Sequence, residues 1–328
     1  MRRHHSLLQR MFHVVVASLV ALSVSGADAA DYPARAVKLI VQGAAGSGPD
    51  VVARTVADGL GRLWNQPVVI VNQPGAGGVV AARTAAAADA DGYTLYLPTI
   101  TTFVIMPELH ESLPFDLDRD FVRIGMLAET PMMIGVSPSL GVGSLQELIA
   151  AAKRRPGELF YAANNRGSLP HLAGELFRRH AGIDIGFVPY PGAAAGLQDV
   201  AGGRVAMIVE SVGALTGAMQ GGTIKPLAVA SAQRLSHLPD LPAVAETLPG
   251  FAAMGWFALM APKGIAPALV RKLNQDLNVV LVQADVQRRL QELGAFARPM
   301  SPEATADFIR AEQKAWRPLV REVGLKAQ

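Results

Sequence analysis

The sequence predicts an α/β protein of two lobes, each built on a mainly parallel sheet, with strands passing between them. Three observations carry that expectation. Short apolar runs alternate with stretches of helical periodicity along most of the chain, as parallel strands joined by right-handed crossovers do. The 328 residues suffice for about two domains, yet no flexible linker separates them, so strands rather than a tether would join the lobes. Hydrophobic residues make up 50% and charged residues 17%, which fills a packed core and excludes a disordered chain.

The elements follow in order. Val37–Val41 reads as a strand, and Asp50–Trp64 as a helix with Val51, Val52, Val56, Leu60 and Leu63 on one side. Pro67–Val71 is a second strand, the Ala-rich Gly77–Ala88 a helix, and Tyr93–Leu97 a third strand. Further strands are expected at Met132–Val136, Leu159–Ala163, Phe187–Tyr190, Val205–Glu210, Ile224–Ala230 and Trp256–Met260. Helices are expected at Ser144–Lys153, Leu169–His180, Ala193–Val200, Pro267–Gln283, Ala284–Leu293 and Pro302–Val323. Ser144 with Glu147 has the spacing of a capping box, and Ser301-Pro302-Glu303 supplies an N-cap, an N1 proline and an acidic first turn.

The first 29 residues read as a cleavable secretory signal. Arg2, Arg3 and Arg10 form a basic start, Met11–Val24 is an apolar run, and Ala27 and Ala29 fit an A-x-A cleavage site. The run is shorter than the roughly 20 apolar residues needed to span a bilayer. Removing it takes away three Arg and Asp28, so the net charge of +3 falls to about +1. No basic patch with interleaved aromatics remains, which argues against nucleic-acid binding. The expected location is outside the cytoplasm.

Zero Cys excludes disulfides, thiolate metal sites and a cysteine nucleophile. The mature chain would hold only His110, His171, His180 and His237, without metal-ligand spacing, so neither metal nor cofactor is expected. Ser168 and His171 stand three apart, but no orienting carboxylate accompanies them, so an enzyme is not expected and a serine hydrolase using that pair is the weaker alternative.

The informative loops lie where strands give way to helices, the usual ligand position in open α/β sheets. Gly43 to Asp50 is one: Ala44, Ala45, Gly46 and Ser47 let a ligand approach the backbone, and a helix start favours an anion. On spacing alone it is equally a tight turn with an N-cap. Asn164 to His171, including Arg166, Gly167 and Ser168, resembles it. Both loops contain Gly-Ser-x-Pro followed by a polar residue, Asp50 or His171. Gly77 in the loop 72–78, Thr99 and Thr101 after the third strand, Tyr190 and Gly192 before another helix, and Glu210 at a strand end complete the candidate ligand-binding set. For Arg166 a solvent-exposed loop position, and for Glu210 a solvated strand end, are the plain alternatives.

These segments resemble the periplasmic solute-binding proteins of tripartite tricarboxylate transporters, the Bug family. The resemblance rests on Tyr32-Pro33, Ala45 to Asp50, Asn72-Gln73-Pro74-Gly75-Ala76-Gly77-Gly78, Asp91-Gly92-Tyr93-Thr94-Leu95, Gly167 to Phe177, Val188 to Gly192, and Leu238-Pro239-Asp240-Leu241-Pro242. It implies a location in the periplasm and a Venus-flytrap fold, type II-like, with hinge strands between the lobes. It implies a small carboxylate ligand held by backbone amides and hydroxyls, and delivery to inner-membrane permease subunits. A ligand-sensing adaptor for a membrane sensor is the alternative partner. A monomer is expected, with residues 1–29 as signal, 30–131 and 253–328 as the first lobe, and 132–252 as the second. Gly43-Ala44-Ala45, Glu210-Ser211 and Asn164-Asn165-Arg166 depart from the family pattern. Ligand identity is therefore not inherited from it.

Overall fold

The computed structural model describes residues 32–110 and 112–324, so the expected signal segment lies outside the described residues. Strand β1 (Val37–Val41), helix α1 (Gly48–Trp64), β2 (Val68–Asn72), α2 (Val79–Ala86) and β3 (Thr94–Leu97) form two parallel crossovers. Valine, isoleucine and leucine at alternate and adjacent positions bury β1 on both faces, as a central parallel strand requires. Helix α1 turns Val52, Val56 and Leu60 inward and ends at Asn65 in a left-handed conformation.

A turn of π-helix at Thr101–Ile105 leads to β4 (Phe121–Val136), 16 residues long. There follow α3 (Leu145–Arg154), β5 (Phe160–Asn164), α4 (Leu169–Ala181), β6 (Gly186–Tyr190), α5 (Ala193–Ala201), β7 (Met207–Ser211), α6 (Val212–Gln220) and β8 (Lys225–Val229). The chain returns through β9 (Met254–Pro262), α7 (Pro267–Leu281), α8 (Ala284–Glu292), β10 (Phe296–Ala297) and α9 (Pro302–Glu322).

The strands order as β2-β1-β3-β9-β4-β7-β5-β6, with β8 and β10 also paired to β4. The outer triplets, β2-β1-β3 and β7-β5-β6, are parallel; the centre is antiparallel. Strand β4 changes partner along its length. Phe121 to Pro131 pairs with β9, and Met132 to Val136 pairs with β7 and β8. Pro131 has no N–H to donate, and it falls where the partner changes, so no ladder bond is lost inside a continuous pairing. This is a two-lobe fold with strands crossing between the halves.

The sequence reading missed the first two-thirds of β4, because Arg123, Glu129, Thr130 and Pro131 interrupt its apolar pattern. The structure pairs the charges laterally: Arg123 with Asp118, and Glu129 with Arg298. Helix α6 was missed too. Gly213 and Gly217 lower its intrinsic propensity, and tertiary packing forms it regardless. The expected capping box at Ser144 is half realised: its Oγ accepts the Glu147 amide at 3.2 Å, while Glu147 accepts from Gly143.

Tyr96, Phe103 and Phe121 form an aromatic cluster, with Tyr96 and Phe121 centroids 5.5 Å apart. A separate core gathers Met133, Val200, Ile208 and Leu215. Helix α9 buries Ile309, Trp316, Leu319 and Val320. No helix among the described residues is long and apolar enough to cross a membrane.

Candidate functional site

A cavity of about 580 Å³ opens where the carboxyl ends of β1, β3, β5 and β7 face one another across β4 and β9. Four helices begin at its wall: α1 through Gly48 and Pro49, α4 through Leu169 and Pro170, α5 through Ala193, and α6 through Gly213 and Ala214. Each start brings the positive end of a helix dipole to the wall. In α1 and α4, Pro49 and Pro170 have no N–H and the Ser47 and Ser168 amides close the turn, so Gly48 and Leu169 are the wall residues with an amide left to donate.

Two of these starts are the same turn. Gly46 and Gly167 take φ of +81° and +83°. The next residues, Ser47 and Ser168, are extended N-caps with φ −74° and −72°. Their amides close on Ala44 O at 3.0 Å and on Asn165 O at 2.9 Å. The glycine amide is donated forward four residues in both, to Asp50 Oδ2 at 2.8 Å and to His171 Nδ1 at 3.2 Å. The shared Gly-Ser-x-Pro-polar pattern thus encodes one geometry twice.

Asp50 is 1% exposed. Its carboxylate accepts from Gly46, from Arg54 and from Asn72 Nδ2 at 2.9 Å, and Asn72 also donates to Gly43 O. The Arg54 hydrogen bond, working against burial, lowers its pKa to about 2. Asp50 therefore orients its loop and does not reach the cavity.

His171 is equally buried, packed against Phe187 in a tilted ring contact with centroids 4.2 Å apart. Burial lowers its pKa to about 4, so the imidazole is neutral. Ser168 Oγ accepts the backbone amide of His171 at 3.3 Å, while the imidazole Nδ1 accepts from Gly167. Each side chain is thus turned to a backbone amide, and the pair is not arranged as nucleophile and base.

Of the residues expected from sequence, Thr99, Thr101, Asn164, Ser168 and Glu210 line the cavity. Ala44, Ala45 and Gly46 are exposed and stand off it, because the chain turns inward only at the helix start that follows; Gly77 is exposed and its loop does not reach the wall. Ser47 and Gly192 are N-caps one residue short of the wall, and Gly167 sits behind Ser168. Arg166 points away, its guanidinium 5.4 Å from the Phe187 ring centroid. The Tyr190 hydroxyl donates to Asp199 at 2.6 Å and is used within its own half.

Sequence reasoning missed Gln42, Thr130, Ser211, Trp256, Phe257 and Glu292, which also line the cavity. Gln42 follows β1 directly. Its Nε2 donates to Thr99 Oγ1 at 2.8 Å, and its Oε1 accepts from Thr102. The position of Gln42 beyond a buried strand was the available signal. Trp256, which opens an expected strand, is both core and wall, 1% exposed and bordering the cavity.

The wall holds no Lys, Arg or His among the described residues; its only ionisable groups are Glu210 and Glu292. Glu210 is 6% exposed, its Oε1 accepts the Ser211 amide at 2.7 Å, and burial raises its pKa. No cluster able to hold a metal occurs among the described residues. Among the described residues at the wall, Ser168 has no base directed at it.

One edge is closed by backbone alone. A Cβ on Gly213 would lie 2.1 Å from Leu293 O, and one on Gly294 would lie 2.3 Å from Gly213 N. The start of α6 thus touches the loop after α8 at the closest approach two chains allow.

A two-lobe sheet with a cavity ringed by helix starts is the fold of periplasmic binding proteins. Comparison with known families narrows that class. Residues 52–325 match the model of the tripartite tricarboxylate transporter family receptor. The chain belongs to this family, which includes the Bug proteins. It is 36% identical to protein BugT of Bordetella pertussis over 97% of this chain and 99% of the relative. Among solved structures, Rpa4515 of R. palustris with adipate is 34% identical, with TM-score 0.80, covering 90% of this chain and 100% of that one. MatC of Rhodopseudomonas palustris with bound malate is 30% identical, with TM-score 0.74, covering 88% and 100%.

Proposed function

We propose that this chain is a non-catalytic, extracytoplasmic solute-binding protein. It captures a small organic acid between its lobes and delivers it to the inner-membrane permease subunits of a tripartite tricarboxylate-type transporter. The observation that carries the reading is the convergence of four helix N-termini on one cavity whose wall has no cationic side chain among the described residues. Such ends supply positive potential and free amides to an anion without a counter-charge. About 580 Å³ suits a small metabolite. Relatives solved with adipate and malate support the same class of ligand.

In this reading residues 1–29 are the export signal and the mature protein works as a periplasmic monomer without a cofactor. Residues 30–131 with 253–328 form one lobe and 132–252 the other, the division falling where β4 changes partner. The ligand carboxylate is held by the first-turn amides of Gly48 and Leu169 and by the hydroxyls of Thr99 and Thr101. Lobe closure presents the loaded form to the permease.

The test is thermal stabilisation of the mature protein by a panel of amino acids, dicarboxylates, tricarboxylates and aromatic acids, with hits titrated by calorimetry. A saturable rise in melting temperature supports the reading. No response from any acid, before or after refolding to remove retained ligand, overturns it.

A further inference from the structure

The charge pattern of the cavity is lopsided: two carboxylates line it, and no cationic side chain among the described residues does. Glu292 is exposed at the rim, whereas Glu210 is nine-tenths buried, with its Oε2 lacking any hydrogen-bond partner. Asn164, at the end of the neighbouring strand β5, also lines the cavity, and its Oδ1 is a second buried acceptor without a donor. A buried carboxylate without an opposite charge is among the costliest arrangements in a protein interior. The fold supplies Glu210 with the Ser211 amide at Oε1 and with the polar Ser211 and Asn164 side chains nearby, and with no cation at the cavity wall among the described residues.

We propose that Glu210, with Asn164 beside it, selects a ligand that carries an ammonium group as well as a carboxylate. An amino acid or similar zwitterion would then be bound in preference to a plain mono- or dicarboxylic acid. This rests on the carboxylate-binding reading above and specifies the ligand class of that same site.

The donor arithmetic fits. An ammonium brings three N–H donors and one positive charge. The two unpartnered oxygens need donors, and Glu210 needs a charge. The helix starts hold the carboxylate end, so the two poles of a zwitterion meet opposite fields across one cavity. A second ligand carboxylate at the Glu210 end would meet a like charge in a site sheltered from water. The Ser211 amide and the Asn164 side chain both favour the ionised form of Glu210 against the upward pull of burial. Glu210 also directly precedes Ser211, the N-cap of the nine-residue α6, whose dipole favours an anion there.

The experiment is calorimetric titration of the mature protein with matched pairs: L-glutamate and glutarate, L-leucine and 4-methylpentanoate, L-phenylalanine and 3-phenylpropanoate. At least one amino acid should bind tenfold or more tightly than its deaminated partner, about 1.4 kcal/mol. That ratio should collapse towards one in Glu210→Gln. If that variant does not fold, N-acetylation of the preferred amino acid, which removes the charge, should abolish the preference in the unaltered protein. Deaminated acids binding as well as or better than their partners overturns the inference and leaves the carboxylate reading standing. So does glutarate binding that tightens at lower pH through Glu210, since that marks a protonated Glu210 facing a dicarboxylate. Absence of binding by every member of the pairs and by the wider acid panel overturns both.

Discussion

Asp50 and His171 occupy the same position in two copies of one turn, each accepting the amide of a left-handed glycine four residues earlier, Gly46 or Gly167. One acceptor is an ionised carboxylate tied to Arg54, the other a neutral ring packed on Phe187. The backbone requires only an acceptor at that point. The side chains differ because one turn is backed by a polar network and the other by an aromatic wall. Both deliver a helix start to the cavity, one in each half of the sheet.

The two acceptors lose their hold in different pH ranges. His171 has its pKa lowered to about 4 from an ordinary 6.5. The unfolded chain therefore binds a proton there first, and stability falls as pH drops from about 6.5 towards 4. His171→Gln, which cannot titrate, should flatten that part of the stability profile relative to the parent. Urea unfolding at pH 7.5, 5.5 and 4.5 measures it; parallel profiles for the two proteins would refute the assignment.

Asp50 acts lower. Its carboxyl is held at about 2 against an ordinary 3.8, so its contribution is complete above 3.8 and is lost as pH falls through 2. Asp50→Ala removes the acceptor of Gly46, Asn72 and Arg54 together. Unfolding of the unliganded variant at pH 7 should show a loss of about 1–3 kcal/mol, the range for stranding buried donors.

The two N-cap serines should respond unequally. Ser168 Oγ accepts from His171 N, whereas Ser47 Oγ is buried and without a partner. Ser168→Ala should cost about 1 kcal/mol, the usual value of an N-cap bond. Ser47→Ala should be neutral or slightly stabilising, because it removes an unsatisfied buried hydroxyl. Equal losses on urea unfolding would show that the caps are equivalent.

Gly213 faces Leu293 O with no room for a Cβ. Gly213→Ala should separate the start of α6 from the loop after α8 and weaken ligand binding tenfold or more. The unliganded melting temperature should change little, since alanine suits a helix better than glycine. Calorimetry with small-angle scattering of the loaded protein checks both expectations. Unchanged affinity with an unchanged scattering profile would mean that the contact has no part in closure.

The alternation that announces parallel crossovers, the apolar stripe of α1 and the caps at Ser144 and Ser301 are local signals, and the structure forms all of these elements. The paired loops were legible as a repeated pattern, because Gly-Ser-x-Pro-polar carries its own turn chemistry. In the first loop the sequence reading fell on the exposed small residues Ala44 to Gly46, while the chain reaches the cavity wall at Gly48; in the second loop the expected Asn164 and Ser168 do line it. The sequence reading also overlooked Gln42, whose position depends on Thr99 and Thr102 arriving from 57 and 60 residues away.

By itself the sequence determined the fold class, the family pattern and the local turns, because those depend on periodicity and on residues close in the chain. Only the tertiary structure decided what the cavity is made of. Helix α6 forms despite two glycines, β4 exchanges partners at Pro131, and Glu210 ends buried beside Asn164 in a wall without cations among the described residues. Each depends on segments far apart in sequence coming to the same place. Burial, which sets the cost of a charge, exists only after they have met.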